Sequence, residues 1–151
     1  MAVTTAPSVE AMKAIVSQLR TATTFGLPAS VSYTDSIIDE LEEVQSLRLD
    51  VVSESEEQLN ETLDVEDRTS HVIRVWIRQK VSECTQAEID RLKLFVRQVF
   101  QRLNNFDSSD GRVKVWECDY GSRQVPDKAI LRQSSLFVAS VVLRVEVEAS
   151  A

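Results

Sequence analysis

His71-Val-Ile-Arg-Val-Trp-Ile-Arg-Gln-Lys-Val81 alternates with a period of two, so Ile73, Val75, Ile77 and Val81 share one face while Val72, Arg74, Trp76, Arg78 and Lys80 share the other. One face seeks a core and the other carries charge. Four residues on, Thr85 reads as an N-cap and Glu88 closes a capping box. Ile89, Leu92, Val96, Val99 and Leu103 then recur at helical spacing with Phe95 beside them, a stripe suited to covering the apolar face of the strand. Asn104-Asn105 ends the helix, and Asp107-Ser-Ser-Asp-Gly111 turns the chain into another strand, Arg112 to Cys118. The unit is strand, helix, strand, and its sheet has to be completed from elsewhere in the chain.

The flanking segments supply the remaining elements. Ser8 is placed to cap a first helix, whose Val9, Met12, Ile15, Val16 and Leu19 form one stripe and give the sheet a second cover. After the break at Gly26-Leu-Pro28, Ala29-Ser-Val-Ser-Tyr33 has the alternation of a short strand, and Asp35 to Val44 reads as a short acidic helix or an extended connector, with the spacing of Ile37, Ile38, Leu41 and Val44 favouring a helical turn. Leu47-Arg-Leu-Asp-Val-Val-Ser53 alternates again, with Leu47, Leu49 and Val51 inward. The acids that follow, Glu54, Glu56, Glu57, Glu61, Asp64, Glu66 and Asp67, come without one base and read as a solvated loop or hairpin tip. Residues 47–81 are thus an antiparallel hairpin with a long acidic connection at about 54–70. Beyond the strand ending at Cys118, Asp127 caps a single helical turn through Leu131. In the last strand Phe137, Ala139, Val141, Leu143, Val145 and Val147 share a face. Its other face begins apolar at Leu136 and Val138, which points to a central strand covered there by a helix or another subunit. Across these second faces, Arg74, Arg78 and Lys80 have Glu146, Glu148 and Asp50 as possible ion-pair partners. The expected fold class is α+β: a mainly antiparallel sheet of four to five strands with two covering helices, in a single domain over residues 1–151.

With 151 residues and 43% apolar content the chain can bury one real core. No run of about 18 apolar residues exists to span a membrane, and the start lacks the basic and apolar regions of a signal peptide. The net charge of −7 is uneven: residues 1–67 hold 14 acids against 3 bases, and residues 68–151 hold 10 acids against 14 bases. A net negative chain is poorly suited to coat a duplex, which takes several cations on phosphates, yet it suits a protein past which DNA slides.

Reactive groups are sparse. His71 stands at a strand start with no Ser or Cys at a motif spacing, and Cys84 lies just before a helix N-terminus, where an inert packed thiol is the simpler reading. Two cysteines and one histidine do not make an ordinary zinc site. Gly26, Gly111 and Gly121 stand alone, so no loop is written to cradle a phosphate. For the acidic run three readings stay open: a solvated loop, a divalent-cation site, though without the turn glycine of a calcium loop, or a deliberately negative surface. The expectation is therefore no cofactor, no metal and no catalytic residue. Trp76 and Trp116 share faces with Arg74, Arg78, Lys80, Arg112 and Lys114, and Arg with aromatics is what buried subunit contacts favour. Arg74, Trp76, Arg78, Lys80 and Trp116 are the candidate interface, with coverage by the first helix as the competing reading.

The order helix, short strand, hairpin, helix, strand, long terminal strand resembles the tail-terminator and neck (head-tail joining) proteins of long-tailed bacteriophages. The local echoes are Leu47-Arg-Leu-Asp-Val-Val-Ser-Glu-Ser55 before the acidic stretch, Ile73-Arg-Val-Trp-Ile-Arg-Gln-Lys-Val81 after it, Ala87-Glu-Ile-Asp-Arg-Leu92, and the run from Leu131-Arg-Gln-Ser-Ser to Leu-Arg-Val145. The resemblance implies a non-enzymatic virion protein, assembled in the host cytoplasm, that forms a homohexamer ring at the head-proximal end of the tail tube. Its partners would be copies of itself, the tail tube protein and the head connector, with DNA passing through the lumen and no membrane involved. The chain departs from shorter relatives in its long acidic connection, which would face the lumen or the next ring. The other readings are a head-completion (stopper or adaptor) protein of the neck, an acidic DNA mimic and, third, a small enzyme whose activity would depend on His71 and Cys84.

Overall fold

The computed structural model describes residues 6–20, 30–34, 47–59, 67–81, 85–121, 126 and 128–149. In order these form α1 (Pro7–Arg20), β1 (Ser30–Tyr33), β2 (Arg48–Gln58), β3 (Asp67–Lys80), α2 (Gln86–Leu103), β4 (Val113–Tyr120), α3 (Lys128–Ser134) and β5 (Leu136–Ala149). The five strands make one sheet in the order β1-β2-β3-β5-β4, antiparallel except for the parallel edge pair β1–β2. The α+β class and the mainly antiparallel sheet are as the sequence pattern leads one to expect. β5 inserts between β3 and β4, so the strand-helix-strand unit closes around the end of the chain.

The alternation of β3 is spent as expected on one face: Ile73, Val75 and Ile77 are fully buried, and β5 adds Phe137, Val141, Leu143 and Val145 in register beside them. α1 contributes Ala11, Met12, Ile15, Val16 and Leu19 to this core, and α2 contributes Leu92, Phe95, Val96, Val99 and Leu103. α1 lies toward β1 and β2, while α2 lies toward β5 and β4. Each large side chain buried there contributes about 1.5–3 kcal/mol against exposure, so the two helical stripes fix which face of the sheet is covered. Thr85 Oγ1 accepts the Glu88 N–H at 3.3 Å and starts α2. The helix stops at Asn104, and Asn105 takes the left-handed conformation at φ 59° that asparagine tolerates.

Several expectations change. The acidic run is not one loop: β2 continues through Glu54, Glu56 and Glu57 to Gln58, and β3 already begins at Asp67, so this hairpin pairs as far as Gln58 with Thr69. Backbone pairing is indifferent to side-chain charge, and one irregularity between Ser53 and Ser55 lets the strand run on. Glu61, Asp64 and Glu66 lie outside the described residues, as do Cys84 and the segment 35–46 for which a helical turn is expected. The turn capped at Asp127 becomes a seven-residue helix, α3. β4 carries a second irregularity between Val115 and Glu117, which shifts the inward set from Val113 and Val115 to Cys118. No described helix is long and apolar enough to cross a membrane.

Candidate functional site

The face of the sheet turned away from α1 and α2 is where the candidate residues converge, and the structure divides them. Arg78, expected at a surface contact, is only 6% exposed. Its guanidinium donates to Asp50 Oδ2 on the neighbouring strand, where Asp50 is 1% exposed and also accepts from Arg48 Nε at 3.3 Å and Ser32 Oγ at 3.3 Å. Asp50 interrupts the apolar run of β2 because it faces this side, opposite Trp76, and ties β1, β2 and β3 together. Alternation assigns a residue to a face and not to a depth; here the face is deep enough to bury an ion pair. Arg78 thereby becomes a structural residue rather than a contact residue.

Arg74 is likewise engaged. It donates to Glu54 Oε1 at 2.6 Å, to Ser140 Oγ at 3.0 Å and to the Gly121 carbonyl at 3.5 Å, and it lies 5.2 Å from the Trp76 ring centroid. This connects β2, β3, β5 and the turn after β4. Trp76 is half-buried against Leu136, Val138 and Ile130, so α3, and not the first helix, covers the apolar start of β5 on this side. Lys80 and Trp116 stay exposed, Trp116 at 55%. Trp116 sits in the β4 irregularity under Arg144, which also pairs with Glu117 at 3.0 Å. Among the described residues, Arg78 with Asp50 is the one expected cross-strand ion pair that forms; Lys80 stands opposite Leu136, Glu146 opposite Ser70 and Lys114, and Glu148 opposite Arg68.

Of the described acidic residues, Glu54 is committed to Arg74, and Glu56 and Glu57 are exposed on opposite faces of the end of β2. Opposite Glu56 on β3 stands His71, 1% exposed, with Nε2 2.7 Å from Thr69 Oγ1 and 3.9 Å from Glu56 Oε1. Burial lowers its pKa and Glu56 pulls the other way to a smaller extent, so the imidazole is held neutral. Cys118 is buried, its thiol pushed up to about 12 by burial, which removes it as a nucleophile at neutral pH. The hydroxyl on the His71 ring, Thr69 Oγ1, belongs to a residue only 3% exposed, and the Cys118 thiol points to the Phe100 carbonyl at 3.9 Å. Among the described residues no three His, Cys, Asp or Glu side chains group to hold a metal ion. An open groove of about 530 Å³ between α1 and β1 is lined by Lys13, Val16, Ser17, Arg20, Ser32 and Tyr33, and there Arg20 donates to the Val31 carbonyl at 2.8 Å.

A surface the sequence pattern did not single out lies on α2. Arg91, Lys93 and Arg97 are exposed around Leu94, itself 59% exposed. Arg97 bonds Tyr120 Oη at 3.1 Å and lies 5.1 Å from the Phe100 ring, which stacks on Tyr120 at 4.8 Å. Leu94 falls outside the apolar stripe, the one cue in the sequence to an apolar residue set among bases.

No family model matches the chain, and no curated protein matches it in sequence. Its fold, however, is found in solved structures. A chain of the virion of a native gene transfer agent particle aligns with 96% of this chain and 100% of its own length, at 16% identity and a TM-score of 0.54. Another solved chain aligns over 99% of both at 13% identity and a TM-score of 0.56. The α+β sheet backed by two long helices is thus a fold shared, nearly end to end, with a chain of that virion.

Proposed function

We propose that this chain is a structural virion protein without catalytic activity, and specifically a tail terminator that forms a ring on the head-proximal end of a tail tube and docks it to the head connector. The observation that carries the reading is the end-to-end correspondence with a chain of the gene transfer agent virion. The surface supports it: His71 and Cys118 are packed away, while the aromatic and arginine side chains that subunit contacts favour, such as Trp116, Tyr120, Arg91 and Arg97, stand exposed. The uneven charge suits a heterologous contact, in which one surface meets a different surface of the neighbour and the ring closes. Against a DNA mimic stands the basic surface of α2, because mimicry needs acids across one rigid face.

The test is removal of the protein from the particle that carries it, followed by negative-stain imaging. Tubes of uncontrolled length that fail to join heads are expected, and added purified protein should cap tube ends as rings. Tubes of normal length beside heads that lose their DNA would move the assignment to a head-completion role. Normal particles would refute both.

A further inference from the structure

We infer that the solvent side of α1 and α2 is a contact surface for the phosphate backbone of duplex DNA, held without regard to base sequence. The ring reading names no face of the subunit for DNA, so this goes beyond it and is tested apart from it. From Ala11 to Arg20 α1 carries two bases and no acid, and from Arg91 to Leu103 α2 carries four bases and no acid. All six, Lys13, Arg20, Arg91, Lys93, Arg97 and Arg102, are exposed. The helices cover the same face of the sheet and touch, with Gln18 Nε2 donating to the Arg102 carbonyl at 3.3 Å, so these bases belong to one layer. The acids of the two helices are confined to their N-terminal ends, where the helix dipole favours negative charge. Glu10 pairs there with Arg112 at 3.0 Å, and Glu88 and Asp90 open α2, with Asp90 held by the Gln86 amide at 2.8 Å.

In a chain of net charge −7 such a layer acts locally. Charge is screened within about 10 Å at about 0.1 M salt, and a helix is itself about 10 Å across, so acids on the far side of the sheet weigh little in front of the helices. Among the described residues the side chains of Lys13, Arg91, Lys93 and Arg102 make no ion pair and no hydrogen bond, which leaves their charge for a partner. Arg91 to Arg102 covers about 16 Å of axis at about 1.5 Å per residue, and a duplex carries a charge about every 1.7 Å of its own axis, so α2 laid along DNA meets several phosphates. Exposed amides at Gln101, Asn104 and Asn105 add donors of the kind that phosphate oxygens accept. An acidic protein would instead ask for an apolar centre to its contact, and on these two helices Leu94, 59% exposed, is the one large apolar side chain turned outward. Phosphate contacts position a duplex and read no bases, which makes the contact indifferent to sequence.

The experiment uses the full chain and a fluorescein-labelled duplex of random sequence, with binding followed by anisotropy from about 50 to 200 mM salt. The wild type should bind at the low end, with the logarithm of its association constant falling against that of salt at a slope of about −3 to −5, near 0.9 for each phosphate neutralised. Arg91→Gln, Lys93→Gln and Arg102→Gln together keep good helix formers in α2, and circular dichroism verifies the fold. This variant should bind at least tenfold more weakly at low salt, with a slope shallower by about 2–3. Lys80→Gln with Lys114→Gln, two exposed bases on the strands rather than on the helices, should bind as the wild type does. Equal weakening of both variants would mean attraction spread over the molecule and would overturn the assignment to the helices. Polyglutamate that displaces the duplex at a lower concentration of charged groups than unlabelled DNA does would give the layer to an acidic protein and overturn it as well. So would a wild type that leaves the duplex free at the lowest salt, and none of these results bears on whether tubes are capped.

Discussion

The two faces of the sheet bury side chains by different physics. Under α1 and α2 the filling is apolar, from Met12 and Ile15 through Phe95 to Phe137, and it is held by the number of close contacts. On the opposite face Leu136, Val138, Trp76 and Ile130 form only a small cluster, and the rest is organised by Asp50 with Arg78 and by Arg74 with Glu54 and Ser140. Removing atoms from the first face leaves a cavity. Removing one partner on the second leaves a charge without its counterpart. An apolar core tolerates exchange of one hydrophobe for another of similar size; an ion pair out of water tolerates only joint replacement.

Phe137→Ala should have the largest effect, about 3–5 kcal/mol lost in denaturant unfolding, because the side chain is fully buried between the helices and the sheet. Asp50→Ala comes next, at about 3 kcal/mol, by leaving the Arg78 guanidinium buried without that carboxylate. The paired change Asp50→Leu with Arg78→Met should recover most of the loss, which a double-mutant cycle measures. A single-variant loss below about 1 kcal/mol would mean that this face behaves as ordinary solvated surface, where ion pairs are worth little. Substituting Arg78 is accordingly a test of folding, not of particle joining.

Legibility in the sequence follows the same division. The helix-covered face could be read almost residue by residue, since the stripes of α1 and α2 and the inward sets of β3 and β5 rest on periods that backbone geometry imposes. Thr85 as cap was legible because capping is local. What depends on the third dimension was not. Arg78 and Lys80 look alike in the alternation, yet one is buried and the other exposed, because β2 brings Asp50 to the first while Leu136 stands opposite the second. The continuation of β2 through Glu56 and Glu57 was hidden because side-chain charge says little about a backbone ladder completed by β3. The β4 irregularity at Trp116 moved the inward residue from an odd to an even position, which no strict alternation can announce. Of the candidate surface, the aromatic and basic residue types were evident, but which of them stay exposed was not.

Gly121→Ala should cost less than the loss of Asp50, about 1–3 kcal/mol, and it probes how tightly the second face is assembled. A Cβ on Gly121 would stand 1.9 Å from Ser140 Oγ and 2.5 Å from an Arg74 terminal nitrogen, so the Arg74 brace has to shift. Ser140→Ala in the same chain removes the hydroxyl oxygen in the way and should return part of the loss, whereas additive losses from the two changes would show that the strain lies elsewhere.

The smallest effect at neutral pH belongs to the polar intrusion into the otherwise apolar face, and it grows on acidification. His71 is buried beside Thr69 and held neutral, with its folded pKa below the ordinary value of 6.5. In the unfolded chain the imidazole takes its proton near pH 6.5, while the folded chain resists it, so below that pH the unfolded state binds more protons. The stability His71 contributes is therefore complete above pH 6.5 and is lost as pH falls through its lowered folded pKa. Unfolding midpoints measured between pH 7.5 and pH 5 should decline for the wild type. They should stay nearly level for His71→Gln, which keeps a polar partner for Thr69 but cannot charge in that window. Parallel curves for the two proteins would mean that the end of the β2–β3 pairing opens to water before the imidazole is charged, and that the apolar face ends short of Thr69.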